Sequence, residues 1–312
     1  MQTLSSGVFG TETSPLAYGC MTLGRLGDPA DVDRALDAAL DGGVTLFDHA
    51  DIYAHGRSEE VFGRWLAGRP GLRDGLVLQT KCGIRRRDDP PGAPPRYDAS
   101  YEHVVASVEG SLRRLGVETV DVLLLHRPDP LADPEEVAHA FSTLRAAGKV
   151  RAFGVSNYSV AQVDRLAAAL SAPLVVNQIE LSLLHAHALD AGVEVNRSAD
   201  PAQAAGLVDA CAARGLRVQA WSPVAGGALG RDDLDPSRHA LRDLVADLAE
   251  RYGTTPSGVL LAWLLRHPAR IQPVIGTTNP DRIAAACAAA SVRLSREDWY
   301  RLFVEARGGT LP

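Results

Sequence analysis

Apolar positions along the chain follow two alternating patterns. The first is a series of short runs that are apolar at nearly every position: VTLFD (44–48), LVLQTK (76–81), VDVLLLH (120–126), VRAFGVSN (150–157), PLVVNQIE (173–180), RVQAWSP (217–223) and IQPVIGT (271–277). Such runs suit strands covered on both faces. Between them apolar residues recur at helical spacing. Val32, Leu36 and Ala39–Leu40 share one face, as do Val61, Trp65 and Leu66, then Val104, Val108 and Leu112, then Val137, Phe141 and Leu144. Val163, Leu166 and Leu170 continue the series, followed by Leu207, Val208 and Cys211, and by Val259, Leu260, Trp263 and Leu264. Ser58 reads as an N-cap, with Glu59 and Glu60 placed against the positive end of the helix. Gly148 and Gly215 fall where helices stop.

Repeated strand–helix alternation predicts parallel strands joined by helical crossovers. Seven strands are clear, and Ala289–Arg293 is the candidate eighth. No strand is followed by GxGxxG at the start of a helix, so the open dinucleotide-binding sheet loses its fingerprint. Units of roughly 30–40 residues suit a closed barrel. The expected fold is therefore α/β, a (β/α)8 TIM barrel forming a single domain over residues 1–312. An N-terminal β-hairpin is expected over residues 3–18, with GTETS as its turn. Long segments at 85–98, 183–201 and 225–237 follow strands and belong on the C-terminal face, where barrel active sites assemble.

Composition narrows the class. Apolar residues make up 46 % and charged residues 22 %, as in ordinary globular proteins, and the formal charge of −6 argues against a nucleic-acid footprint. Cys20, Cys82, Cys211 and Cys287 show neither CxxC nor metal-ligand spacing, so no metal site and a reducing compartment are expected. MQTLSSGVFG lacks the basic-then-apolar pattern of a signal peptide, and no apolar run approaches ~20 residues. The expectation is a cytoplasmic protein acting on a small molecule, with no membrane or nucleic-acid partner.

Only two of the 32 Lys and Arg residues are lysines, Lys81 and Lys149. Arginine stays charged in proteins, whereas a lysine amine is tuned by burial and neighbours. Asp48 ends the first run, Lys81 the second and His126 the third, and Tyr53 lies five residues beyond Asp48. A parallel barrel gathers these ends on one rim. Singly, each suits a structural role: Asp48 as a helix cap, His126 as a satisfied core histidine, Tyr53 as packing. Together they suit proton donation at neutral pH. A free tyrosine titrates near ~10, and a neighbouring ammonium lowers that value. Asp48 would hold Lys81 charged, and His126 would orient a carbonyl oxygen or share in proton transfer.

LFDHADIY, TKCG, LLLHRPD, GVSN, NQIE and WSP, in this order, resemble the NAD(P)H-dependent aldo-keto reductases over roughly residues 15–290. FDHADIY and HRPDP are most similar to a bacterial, YdhF-like oxidoreductase branch of that family. The resemblance implies metal-free reduction of aldehydes and ketones by hydride transfer from NADPH. It makes Tyr53 the general acid, Lys81 its tuner, Asp48 the partner of the lysine and His126 the carbonyl-orienting residue. It assigns Ser156, Asn157 and Gln178 to the nicotinamide carboxamide, and Trp221 to the stacked nicotinamide ring. Ser222, Pro223 and Gly226–Gly227 match the pyrophosphate loop, where glycine permits close approach. Gly19, Cys20 and Met21 match the segment near the nicotinamide ribose and the substrate. Gly276, Thr277, Thr278 and Arg282 match the segment that takes the adenosine 2′-phosphate.

Many relatives carry a lysine where Gly276 stands, a Glu-Asn pair where Ala285 and Ala286 stand, and a tryptophan where Met21 stands. Preference for NADP(H) is expected, with weaker binding than the full set gives. The family implies a monomer or weak homo-oligomer. Two other readings remain open: a Schiff-base aldolase barrel using Lys81, and a non-catalytic, cofactor-binding subunit that senses redox state.

Overall fold

Eight parallel strands close on themselves in a barrel. They are β1 (Ala17–Gly19), β2 (Leu46–Asp48), β3 (Val77–Cys82), β4 (Val120–Leu125), β5 (Val150–Ser156), β6 (Leu174–Glu180), β7 (Arg217–Trp221) and β8 (Gln272–Ile275). The computed structural model describes residues 13–193 and 206–311, apart from the side chains of 191–193. Each strand pairs with its neighbours in chain order, and β1 closes the ring by pairing with both β2 and β8.

The eighth strand is therefore Ala17–Gly19 and not Ala289–Arg293, which instead begins with a 3-10 turn, Ala289–Ser291. Its strand character comes from hydrogen bonds to residues far along the chain, which a local pattern does not carry. The GTETS turn and first arm of the expected hairpin fall mainly on residues 3–12, outside the described residues. Its second arm, at Ala17–Tyr18, belongs to the parallel barrel.

The anticipated apolar helix faces pack against the outside of the strands. Val32, Leu36, Val61, Trp65, Val104, Val108, Phe141, Val163, Val208 and Trp263 all join one continuous core. A separate cluster fills the barrel's interior: Ala17, Leu46, Val77, Val122, Leu124, Val176 and Val274. Because side chains alternate along a strand, the next inward positions toward the C-terminal ends are set by the same register. There the sequence supplies Asp48, Gln79, Lys81, Gln178 and Gln219, all buried. The apolar plug thus carries a polar layer directly under the rim.

The two glycines expected at helix ends stand there, and the serine expected as a cap does not. Gly148 and Gly215 both take positive φ just after their helices, as expected. Ser58 is not the N-cap. The helix Arg57–Ala67 starts after Gly56, and Ser58 lies inside it, with its hydroxyl accepting from the Gly24 amide (3.2 Å) and donating to the Met21 carbonyl (3.3 Å). A tertiary partner, the segment after β1, takes the hydroxyl that local sequence offered to the helix.

The described parts of the long segments follow the C-terminal ends of their strands. Residues 85–98 return through a short antiparallel pair, Ile84–Arg85 with Arg96–Tyr97. Residues 183–201 include the helix His187–Val193, and 194–201 lie outside the described residues. Residues 225–237 form the 3-10 turns Ala225–Gly230 and Pro236–Arg238. Among the described residues no helix is long and apolar enough to cross a membrane.

Candidate active site

A cleft of about 1600 Å³ opens over the C-terminal ends of the strands. Sites for drug-sized ligands span roughly 300–1,000 Å³, so this cleft has room for a dinucleotide and a small second molecule. Asp48 lines its floor, and Lys81, on the adjacent strand, is buried behind it. Asp48 pairs with Gln79, and Lys81 lies two residues further on the same face of β3.

Lys81 is fully buried. Its ammonium donates to Asp48 Oδ2 (2.6 Å), to the His49 carbonyl (2.9 Å) and to Tyr53 Oη (3.2 Å). An ammonium has three donors, and all three are used. Burial by itself pushes the Lys81 amine down, but Asp48 and Tyr53 outweigh it, and the amine is held above its ordinary range. It is a fixed positive charge and not a free nucleophile, which removes the geometric support for a Schiff-base role.

Burial raises the Tyr53 phenol above its ordinary range, and Lys81 offsets only part of that rise. The net direction is opposite to the lowering expected from the lysine alone. Desolvation of a phenolate outweighs one attractive neighbour that is itself committed to Asp48. Tyr53 therefore holds its proton at neutral pH, beside an ammonium positioned to stabilise the anion once the proton leaves. The His126 ring meets the Tyr53 ring edge-on, with centroids 5.9 Å apart. Burial, then Lys81 and Arg127, push the imidazole down to about 2, so it is neutral.

Backbone strain concentrates here. Ala54 (φ 48°) and His55 (φ 60°) follow Tyr53, Asn157 (φ 63°) follows β5, and Ser222 (φ 52°) follows β7. These four, of seven non-glycine residues with positive φ among the described residues, line the cleft. Such conformations persist where the surroundings enforce them, commonly at functional sites.

One wall is aromatic and amide-rich. Trp221 Nε1 donates to Asn157 Oδ1 (3.0 Å), Asn157 Nδ2 donates to Ser156 Oγ (2.8 Å), and Ser156 Oγ donates to the Gln178 carbonyl (2.9 Å). This chain fixes the half-buried Trp221 ring against the cleft, with the Arg127 guanidinium 5.7 Å from the ring centre. Ser222 and Pro223 come next, then exposed Gly226 and Gly227 with φ of 61° and 76°. A Cβ at Gly227 would meet nothing within 4 Å, so glycine is required there by conformation and not by space. At the other end Asn279 caps the helix Pro280–Ala288, accepting from the Arg282 amide at 3.0 Å. Gly19, Met21, Gly276, Thr277 and Arg282 line the cleft, as do Ala285 and Ala286. Cys20 and Thr278 are not among the lining residues. Cys20 is fully buried, with its thiol on the Tyr18 carbonyl at 3.7 Å.

An aromatic wall, adjacent amides, a left-handed glycine turn and an arginine at a capped helix start suit a nicotinamide dinucleotide. Five further arginines line the cleft that sequence reading did not single out: Arg25, Arg57, Arg86, Arg127 and Arg231. Arg127 carried a signal, since it follows His126 directly in HRPDP. Gln79, Gln219 and Gln272 did too, as polar residues within the largely apolar runs LVLQTK, RVQAWSP and IQPVIGT.

His49, next to Asp48, is fully buried against Phe62, and among the described residues neither ring nitrogen has a hydrogen-bond partner. Burial, then Lys81, lower its pKa to about 3. Its folded value thus lies below the unfolded value near 6.5. Between those limits the unfolded chain binds the extra proton, so this residue makes stability fall as pH drops from 6.5 towards 3. In His49→Leu that dependence should disappear. Relative to wild type, the variant should gain about 1.4 kcal/mol per pH unit on acidification across this window. Urea unfolding at pH 8, 6 and 5 tests it, and parallel curves for the two proteins would refute it.

The closed parallel barrel with its rim cleft is the frame, and comparison with known proteins supplies the class: an oxidoreductase acting between carbonyl and alcohol. The Aldo/keto reductase family model matches residues 15–303, and the chain belongs to that family. It is 39 % identical over 306 residues to a 6-dehydroglucose reductase of Agrobacterium fabrum, covering 95 % of each chain. It is 36 % identical over 278 residues to the oxidoreductase YdhF of Escherichia coli, covering 89 % of this chain and 88 % of that one. The thermostable aldo-keto reductase Tm1743, solved with the inhibitor epalrestat, superposes with a TM-score of 0.78 over 98 % of this chain and 100 % of its own. At 22 % identity that match speaks to the fold alone. Family members generally use a nicotinamide cofactor.

Proposed function

We propose that the protein, with residues 1–312 acting as one catalytic domain, reduces aldehydes or ketones to alcohols with NADPH. The observation that carries this reading is the 3.2 Å contact between Lys81 Nζ and Tyr53 Oη at the floor of the cleft. When bound, the nicotinamide supplies the hydride. Tyr53 gives its proton to the carbonyl oxygen, Lys81 stabilises the phenolate, Asp48 holds Lys81 in place, and neutral His126 orients the carbonyl oxygen. Trp221 walls the ring, with Ser156, Asn157 and Gln178 beside its carboxamide. Ser222, Pro223, Gly226 and Gly227 take the pyrophosphate. Gly276, Thr277, Thr278 and Arg282 take the 2′-phosphate, and Gly19, Cys20 and Met21 form the side nearest the ribose and substrate, Cys20 through its backbone.

The A. fabrum relative named as a 6-dehydroglucose reductase makes a sugar aldehyde the first carbonyl to try. The test is a panel of aldehydes and ketones, sugar aldehydes included, followed by loss of NADPH absorbance, with NADPH and NADH titrated in parallel. Consumption of NADPH, and tighter binding of NADPH than NADH, is expected. Equal binding of both cofactors would remove the role of Arg282. No consumption, together with borohydride trapping of a carbonyl on Lys81, would restore the aldolase reading.

A further inference from the structure

Beneath the rim a chain of buried amides crosses the barrel. Gln178, Gln219 and Gln272 stand in direct register on β6, β7 and β8. Gln79 stands opposite Asp48 on β3. Gln79 Nε2 donates to Asp48 Oδ1 (2.5 Å) and to Gln219 Oε1 (2.8 Å). Gln178 Nε2 donates to the same Gln219 oxygen (2.9 Å). Gln219 Nε2 then donates to Gln272 Oε1 (3.0 Å), and Gln272 Nε2 to the Ser14 carbonyl (2.7 Å). Gln79, Gln219 and Gln272 are fully buried, and Gln178 and Asp48 are each 2 % exposed.

A carboxamide has a donor end and an acceptor end, and nothing intrinsic says which way it points. Here both termini of the chain dictate the answer. An ionised carboxylate only accepts, so Gln79 must turn its NH2 to Asp48. A backbone carbonyl only accepts, so Gln272 must turn its NH2 to Ser14. Every amide between them is then oriented without choice. In keeping this arrangement Gln79 Oε1 stays buried with no hydrogen-bond partner among the described residues. With both incoming N–H groups ending on its oxygen, Gln219 leaves Gln178 one consequence: the Gln178 oxygen is turned away from the chain. Gln178 lines the cleft, and among the described residues its Oε1 makes no hydrogen bond.

We propose that Gln219 is a positioning residue that sets the amide polarity of Gln178, so that the cleft presents an acceptor selecting for a primary carboxamide N–H on the bound cofactor. The same oxygen anchors Gln79 against Asp48. One buried side chain therefore orders the cofactor wall and the floor that holds Lys81. The proposal rests on the nicotinamide reading of the cleft, and its test separates the two.

The probe is a pair of oxidised cofactors: NADP+, and its 3-acetylpyridine analogue, in which a methyl replaces the carboxamide NH2 and cannot donate. Binding is followed by quenching of tryptophan fluorescence, without turnover. Wild type should prefer NADP+ by about tenfold, the size of one hydrogen bond. In Gln219→Met, Gln178 is free to turn over, and the preference should shrink to about twofold or less. In Gln219→Glu, the carboxylate still accepts from Gln79 and Gln178, so the preference should persist even if both cofactors bind more weakly. Failure of folded wild type to bind NADP+ overturns the cofactor reading itself. Binding without preference in wild type, or an undiminished preference in Gln219→Met, overturns the polarity role and leaves that reading standing. Should Gln219→Met not fold, loss of the preference in folded Gln219→Glu overturns it equally.

Discussion

Tyr53→Phe is expected to lower kcat by 10²-fold or more, to roughly 10⁴-fold, while NADPH binds as it does to wild type. The change deletes one hydroxyl. That hydroxyl is the only group of Tyr53 in contact with the Lys81 ammonium through a hydrogen bond, at 3.2 Å. The phenyl ring can stay edge-on to His126, so the shape of the floor persists. Lys81 keeps Asp48 and the His49 carbonyl, and the charge pair beneath survives. What disappears is the proton that the proposed reduction delivers to a carbonyl oxygen. Neutral His126 does not replace it, because an imidazole already held down to about 2 holds no surplus proton near neutrality. Single-turnover oxidation of bound NADPH, with binding measured separately, checks the expectation. Turnover equal to wild type would refute Tyr53 as the acid.

Lys81→Met is expected to abolish measurable turnover and to destabilise the fold by about 3–5 kcal/mol, because it removes one partner of a buried ion pair. The Asp48 carboxylate would remain 2 % exposed, with its closest positive partner gone and Gln79 Nε2 as its remaining donor. The His49 carbonyl and the Tyr53 hydroxyl would lose a donor as well. Adding Asp48→Asn to Lys81→Met removes the stranded charge. The double variant should recover much of the lost stability but none of the activity. Urea unfolding of the three proteins, read beside turnover, separates the structural part of the lysine's contribution from the catalytic part. A single variant as stable as wild type would refute the buried-pair argument. A double variant that turned over substrate would refute the proposed role of the pair in proton transfer.

Lys81 stood out in sequence because one strand end carries a lysine in an arginine-rich chain, and Asp48 and His126 stood out as the ends of neighbouring runs. Burial of a strand on both faces leaves a continuous apolar run, and a polar residue closing that run is visible without coordinates. Tyr53 came with them through its spacing from Asp48. The same local logic found seven of the barrel strands and the buried helix faces.

Features that depend on how distant segments meet were not legible. β1 is three residues long and is a strand because β2 and β8 flank it. Ser58 carried the right residue type for a cap, yet the segment after β1 claimed its hydroxyl. The direction of the Tyr53 pKa does not follow from its neighbour alone, since a sequence names the neighbour but not the depth of burial that opposes it. Cys20, grouped with the cleft by its place in the chain, turned its thiol inward.

The glutamine chain marks the division most clearly. Its members lie in four strands between residues 79 and 272, and Gln79, Gln219 and Gln272 were visible as polar residues in largely apolar runs. Periodicity along one strand says which face a side chain takes, because that is fixed by the local pleat. Which amide end it offers, and to whom, follows only once the barrel has closed and brought β3 against β7 across its interior.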